Sequence, residues 1–238
     1  MHTLTINSAF QPSVKYIGHE KTPIMVIDDY VDSITSIIDY ACQQATFTAD
    51  TATLYPGCRA ALPKHTVISL LKPIMPYLYR LYNLNPKWQP QPKGNAFSLI
   101  TQPADSLNLM QRCPHFDSTS ENMFAVLLYL NAKEHGGTGF YRHNPSQYER
   151  INAARENTYF KQLTQQESDL QSNPVDYCTQ STAEFTLYDQ VTYKPNRLVI
   201  YPSNLLHSTL VNKQIDIDPN PHTGRLTANL FIEFFAPK

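Results

Sequence analysis

The sequence predicts an α+β fold in a single domain over residues 1–238, with a jelly-roll-like β core. Three observations predict it. Apolar residues recur at helical spacing in the first part of the chain, the spacing becomes strand-like from residue 95, and a polar interlude at 144–183 interrupts the strands. Residues 1–94 are therefore expected to be helical and strand support, 95–238 the β core, and 144–183 a helical insertion. Helices first and many short strands afterwards is the α+β order, with strands enough for two facing sheets and helices against one side.

The support begins with a short apolar strand at 24–27, followed by Asp28 and Asp29. Val31, Ile34, Ile37, Ile38 and Ala41 then fall on one helical face, which predicts an amphipathic helix over 30–45. The stretch YPGCRAALP at 55–63 reads as a turn-rich connector. Helical spacing returns over 64–83 through Val67, Ile68, Leu71, Ile74, Leu78 and Leu81. Pro73 and Pro76 are expected to split that helix in two, because proline removes a backbone donor.

The core strands are short, aromatic and β-branched: NAFSLIT, MFAVLLYLN, TGFYRH, AEFTLYD, RLVIYPS, HSTLV and RLTANLFIEFFA. The insertion opens NPSQYERINAAREN. Asn144 is a candidate cap, Pro145 suits a first helical position, and Ser146 with Glu149 resembles a capping box. At 40 residues it is too long for a hairpin loop and too polar for core.

Composition excludes several classes. A net charge of −1 with no basic stripe removes the electrostatic case for nucleic acid. Only seven glycines are present, and no P-loop, GxGxxG or GxSxG occurs. Cys42, Cys58, Cys113 and Cys178 form no CxxC pair and read as reduced, buried thiols. The first ten residues lack the pattern of a signal peptide, and no apolar run is long enough to span a bilayer, so a cytoplasmic protein is expected.

The chemistry concentrates in three places. In CPHFDSTSENMFAVLLYLN, His115 and Asp117 stand two apart, which in an extended segment puts both on one side. In NRLVIYPSNLLHSTLV, His207 follows an apolar strand and a proline turn. Two histidines and a carboxylate on one face, with opposite positions open, suit non-heme Fe(II). In TGRLTANLFIEFF, Arg225, Thr227 and Asn229 alternate along an apolar strand. An arginine on an inward face is costly unless it meets an anion, and its fork matches a carboxylate.

The elements PHFD, LLYLN, GGTGF, NRLVIYPSNLLH and GRLTANLFIEF, in this order, resemble the 2-oxoglutarate/Fe(II)-dependent oxygenases, especially their prolyl-4-hydroxylase-like branch. The resemblance covers 95–238 without the insertion. It implies a double-stranded β-helix, the cupin-like form of the jelly roll. It further implies His115, Asp117 and His207 as iron ligands and Arg225 as anchor of the distal carboxylate of 2-oxoglutarate. Tyr129 and Thr227 reach the same carboxylate, and the activity is that of a dioxygenase, a hydroxylase using dioxygen on an unidentified small-molecule or peptide substrate. A carboxylate at Asp117 disfavours halogenation. Two features depart from the family: 18 positions separate His207 from Arg225, where QIDIDPNPHTG looks like an extended hairpin turn, and the insertion is long.

Other roles compete for these residues. His115 and Asp117 suit a plain turn before a strand, and Arg225 an ion pair with Glu233 or Glu184. Tyr129 suits a core aromatic. His143 and His222 are rival ligands, more at home on a surface or facing substrate, and His2, His19, His65 and His135 lack partners in sequence. Arg142, His143 and Asn144 suit either the substrate entrance or a solvated turn. The competing functions are a non-catalytic metal or small-acid binding module and a cupin-type iron oxygenase without 2-oxoglutarate. A zinc hydrolase leaves Arg225 without a task, and HExxH is absent.

Overall fold

A computed structural model describes residues 4–51, 53–172 and 174–237; His2 lies outside the described residues. In chain order the elements are β1 (Pro12–Ile17), β2 (Thr22–Ile27), α1 (Thr35–Gln43), β3 (Thr48–Ala49), β4 (Gly57–Ala61), α2 (Lys64–Leu71), α3 (Met75–Leu81) and β5 (Gln89–Ile100). Then come β6 (Met123–Tyr129), β7 (Thr138–His143), α4 (Ala153–Gln165), α5 (Glu167–Ser172), β8 (Phe185–Val191), β9 (Leu198–Pro202), β10 (His207–Thr209) and β11 (Thr227–Phe235). The strands form an eight-stranded sheet, β1-β2-β9-β6-β11-β5-β4-β3, and a three-stranded sheet, β10-β7-β8. Every strand pairing is antiparallel.

Strand alternation divides the core. On β11, Ala228, Leu230, Ile232 and Phe234 join Val126 and Leu128 of β6 and pack against the N-terminal helices through Ile37, Leu70 and Leu78. The opposite face carries Ala125, Leu127, Tyr129, Val199 and Tyr201, which meet Phe140 and Val191 of the small sheet. Arg225, Thr227, Asn229 and Phe231 share the parity of that second face. The expected inward placement of Arg225 holds, and it looks into the space between the sheets rather than into the helical layer.

The helix expected over 30–45 is shorter, because its first turn is captured by another element. Tyr30 N–H donates to the Asn196 carbonyl, and the Asn196 side chain bonds both N–H and C=O of Val31. Those bonds hold 30–31 out of helix. Pro73 and Pro76 split 64–83 as expected, with a 3-10 turn at Lys72–Ile74 between α2 and α3. The connector at 55–63 is corrected: it contains β4, paired from Gly57↔Ile100 to Ala61↔Ala96.

The insertion is also corrected at its start. Residues 144–147 form a turn, closed by the bridge between His143 and Tyr148, and Glu149 makes no capping box with Ser146. Its carboxylate is fully buried, takes the Arg142 guanidinium at 2.6 and 2.9 Å, and accepts the N–H groups of His19 and Glu20 at 2.9 Å. The helix begins instead at Asn152, whose side chain accepts from Arg155 N–H. Nor is the insertion wholly polar: Ile151, Tyr159, Leu163 and Leu170 pack with Tyr141, Phe185 and Leu206 of the core. The four cysteines are free, Cys113 and Cys178 buried and Cys42 and Cys58 half-buried. No described helix is long and apolar enough to cross a membrane.

Candidate metal centre

The segment ahead of β6 runs beside β10. His115 and His207 exchange backbone bonds, N–H to O at 2.9 and 2.8 Å, and Asp117 N–H donates to the Ser203 carbonyl at 2.8 Å. These pairings bring three side chains together whose ligand atoms all lie within 4.8 Å of one another: His115, Asp117 and His207. His115 Nε2 stands 3.9 Å from Asp117 Oδ1, and His207 Nε2 stands 3.7 Å from Asp117 Oδ2. A bare turn gives no reason for this convergence across 90 residues.

The protonation chemistry suits ligands. His207 Nδ1 lies 2.8 Å from the Leu205 carbonyl, an acceptor only. That bond puts a proton on Nδ1 and turns Nε2 toward Asp117 as the nitrogen available to a metal. The side chain of His115 is 46% exposed, where it lines both an inner and an outer cavity. Desolvation, with His207 and Arg59 nearby, pushes its pKa down to about 3 and keeps it neutral. Desolvation moves Asp117 upward, opposed by His207 and Arg59. A carboxylate withdrawn from water beside two imidazoles is a place where a cation would relieve the cost of burial.

A cavity of about 70 Å³ joins this cluster to Arg225; Thr138, Tyr201 and Asn229 are among its other walls. Arg225 is 2% exposed. Its Nε donates to the Gly136 carbonyl at 2.7 Å, and a second nitrogen lies 3.5 Å from that of Gly137. Among the described residues it has no carboxylate partner. The expected alternative of an ion pair with Glu233 is overturned, since Glu233 pairs with Lys93 at 3.4 Å, and no ion pair joins Arg225 to Glu184. GGTGF gains a reason here: a Cβ on Gly136 would collide with the Leu210 carbonyl, so only glycine lets this turn deliver its carbonyl to Arg225.

Thr227 sits directly opposite Tyr129 across β11 and β6. Its hydroxyl is buried without a hydrogen bond. Tyr129 is fully buried, with its hydroxyl 2.8 Å from Thr138 Oγ1, its ring stacked on Tyr193 at 4.5 Å, and the Arg225 guanidinium 5.6 Å from its centroid. The donor set, the orphaned Thr227 hydroxyl and the unpaired Arg225 together fit a divalent metal with a dicarboxylate beside it.

The other histidines separate cleanly. His143 is not a surface residue: it is fully buried, with Ser146 Oγ at 2.8 Å and Gln166 Oε1 at 2.9 Å occupying both ring nitrogens. Arg142 is held by Glu149, and Asn144 bonds Ala183 and Thr186, so this stretch is structural rather than an entrance. His19, His65 and His222 are exposed. His135 does have a partner: its Nδ1 lies 2.8 Å from Asp216 Oδ1, both side chains fully buried. Asp216 comes from the long segment between His207 and Arg225, which is therefore no exposed turn. Sequence reasoning also missed Tyr55 and Arg59, which line the cavity from the supposed connector.

A family model described as a family of unknown function, DUF6445, matches residues 8–232. No curated protein matches the chain. Among solved structures, AviO1 from Streptomyces viridochromogenes Tue57 is similar at 11% identity, over 96% of this chain and 91% of that one, with a TM-score of 0.41. A novel N-substituted L-amino acid dioxygenase from Burkholderia ambifaria AMMD is similar at 10% identity over 90% and 82%, with a TM-score of 0.38. The complex of such a dioxygenase with alpha-KG, from the same organism, gives 11% identity over 92% and 84% and a TM-score of 0.35.

Proposed function

The chain belongs to the DUF6445 family, and we propose that it is an Fe(II)- and 2-oxoglutarate-dependent oxygenase, a hydroxylase of a small substrate. The observation that carries this reading is Arg225, a buried guanidinium with no carboxylate partner, lining the same cavity as two histidines and an aspartate. A binding module for metal alone, or a cupin-type oxygenase without the co-substrate, gives that arginine nothing to do. The finer description of the fold is a double-stranded β-helix. It is supported by the order β9-β6-β11-β5 in the large sheet, faced by β8-β7-β10, with the bridge between His115 and His207 continuing the smaller sheet.

In this reading His115, Asp117 and His207 would hold Fe(II). Iron with 2-oxoglutarate supplies the oxidation of a substrate C–H by dioxygen, coupled to loss of carbon dioxide from the co-substrate. The chain's residues fix geometry and charge. Arg225 takes the distal carboxylate of 2-oxoglutarate, and Thr227 donates the hydroxyl that has no partner otherwise. Tyr129 closes the pocket beneath the guanidinium, its hydroxyl able to donate onward while accepting from Thr138. Tyr193, half-buried, stacks on Tyr129 and covers its ring.

Calorimetry with Mn(II) in place of iron tests this reading without turnover. 2-Oxoglutarate is expected to bind, with Mn(II) strengthening it, and Arg225→Ala to weaken it at least about a hundredfold, two charge-assisted bonds being lost. Unchanged affinity in folded Arg225→Ala would contradict the co-substrate assignment.

A further inference from the structure

The inner cavity opens into a larger one of about 420 Å³. Tyr55, Arg59, His115, Asp117, Thr209 and Phe231 line both, so an occupant of the outer space abuts the metal-binding side chains. The volume suits a small molecule. Its walls are largely apolar, with Leu54, Met110, Phe116, Met123 and Val211 among the lining residues.

Its charges are one-sided. Asp117 is the single carboxylate among the lining residues, and it belongs to the metal-binding set; Arg59 and Lys93 are the cations. Lys93 is turned aside, 3.4 Å from Glu233 and 4.3 Å from the Phe235 ring centroid. Arg59 is not used up in the same way. One terminal nitrogen pairs with Asp50 at 3.1 Å, and the guanidinium lies 4.5 Å from the Tyr55 ring centroid, which holds its plane fixed. Its Nε is buried and makes no hydrogen bond. A guanidinium carries five N–H donors in a rigid fork, and a buried donor without an acceptor is costly. Next to it, the cluster at His115 and Asp117 marks where oxidation would occur.

We propose that Arg59 anchors the substrate, and that the substrate is a small organic anion, a carboxylate carried on an apolar or aromatic body. This rests on the reading of Arg225 as the co-substrate's anchor: with 2-oxoglutarate on Arg225, Arg59 is the second cation bordering the metal set. The carboxylate takes the open edge of the Arg59 fork, and the body lies against Phe116, Met123 and Phe231, bringing its C–H groups toward the metal face. The same arrangement disfavours cationic substrates, which would meet the like charge of Arg59.

The test uses the full chain loaded with Zn(II) and 2-oxoglutarate, which is silent to oxygen, and ligand-observed NMR. The probes are 3-phenylpropanoate, 3-phenylpropanamide and 3-phenylpropylamine, equal in body and different in charge. The acid is expected to bind at least about tenfold more tightly than the amide, and the amine more weakly still. Arg59→Gln is expected to bring the acid down to the amide, and Arg59→Lys to keep part of the preference, while 2-oxoglutarate affinity by calorimetry stays unchanged in both. Circular dichroism of the two variants checks that loss of the Asp50 pair leaves the fold intact. Equal binding of acid and amide, or no acid binding up to about 10 mM, overturns the proposal. So does loss of 2-oxoglutarate along with the acid in folded Arg59→Gln, which would place Arg59 in the co-substrate pocket. If Arg225→Ala leaves 2-oxoglutarate unaffected while the acid still depends on Arg59, the co-substrate reading falls alone.

Discussion

Thr227 and Arg225 stand two residues apart on the same face, yet they make different kinds of demand. The Thr227 hydroxyl is buried and unbonded, so its burial is a cost that Thr227→Val removes with little change in shape. That variant is expected to melt no lower than wild type while binding 2-oxoglutarate several-fold more weakly, roughly the worth of one hydrogen bond to a charged group. A lowered melting temperature with unchanged affinity would make Thr227 a structural residue. His207 was readable because one histidine followed an apolar strand and a proline turn. Arg59 was not, since RAA between two turns has no periodicity, and only the pairing of β4 with β5 carries it to the cavity. His135 was unreadable for another reason: its partner Asp216 lies 81 positions away.

At the scale of elements, the segment between His207 and Arg225 explains its own length. The Asp216 carboxylate takes His135 Nδ1 at 2.8 Å, Gly136 N–H at 3.0 Å and Asn212 N–H at 2.7 Å, and the Gly136 carbonyl in turn holds Arg225. Asp216→Ala is expected to lower 2-oxoglutarate affinity about fivefold through Arg225 while Mn(II) affinity stays the same, a coupling of ordinary size. The insertion is tied down by Glu149, and Glu149→Ala is expected to cost about 3–5 kcal/mol in denaturant unfolding, because Arg142 loses its buried partner. His143 adds a pH signature. Burial favours its neutral form, so its folded pKa lies below the unfolded value. The unfolded chain then binds more protons as pH falls below about 6.5, and stability drops with it. His143→Gln is expected to flatten that slope between about pH 7 and 5. Alternation made most core strands legible. β1 escaped because four of its six residues are exposed, and β4 because Gly57, Cys58 and two alanines carry no strand preference. The first half of β5 contains Pro90 and Pro92, which are tolerated there because β4 reaches only to Ala96 and β11 alone pairs with that half.

For the whole molecule, the layers run from N-terminal helices through the large sheet and the small sheet to the insertion, and the cavity lies between the sheets. The order of layers follows from spacing that sequence displays; the depth of the insertion in the fold does not, because Tyr159, Leu163 and Leu170 are diluted among polar residues in a helix whose outer face is solvated. Since the metal set and Arg225 exist together only in the folded chain, each ligand at about a hundred times its Kd is expected to raise the melting temperature by roughly 5–10 °C for a chain of this size. The central claim is that His115, Asp117, His207 and Arg225 form one site for iron and a chelating co-substrate. Anaerobic titration of the metal-free protein with Fe(II) and then 2-oxoglutarate, followed by visible absorption, tests it most directly. A saturable charge-transfer band that needs both components, absent from His207→Ala and shifted to much higher 2-oxoglutarate in Arg225→Ala, is the expected result; folded protein that binds Fe(II) yet gives no band at any 2-oxoglutarate concentration would contradict it.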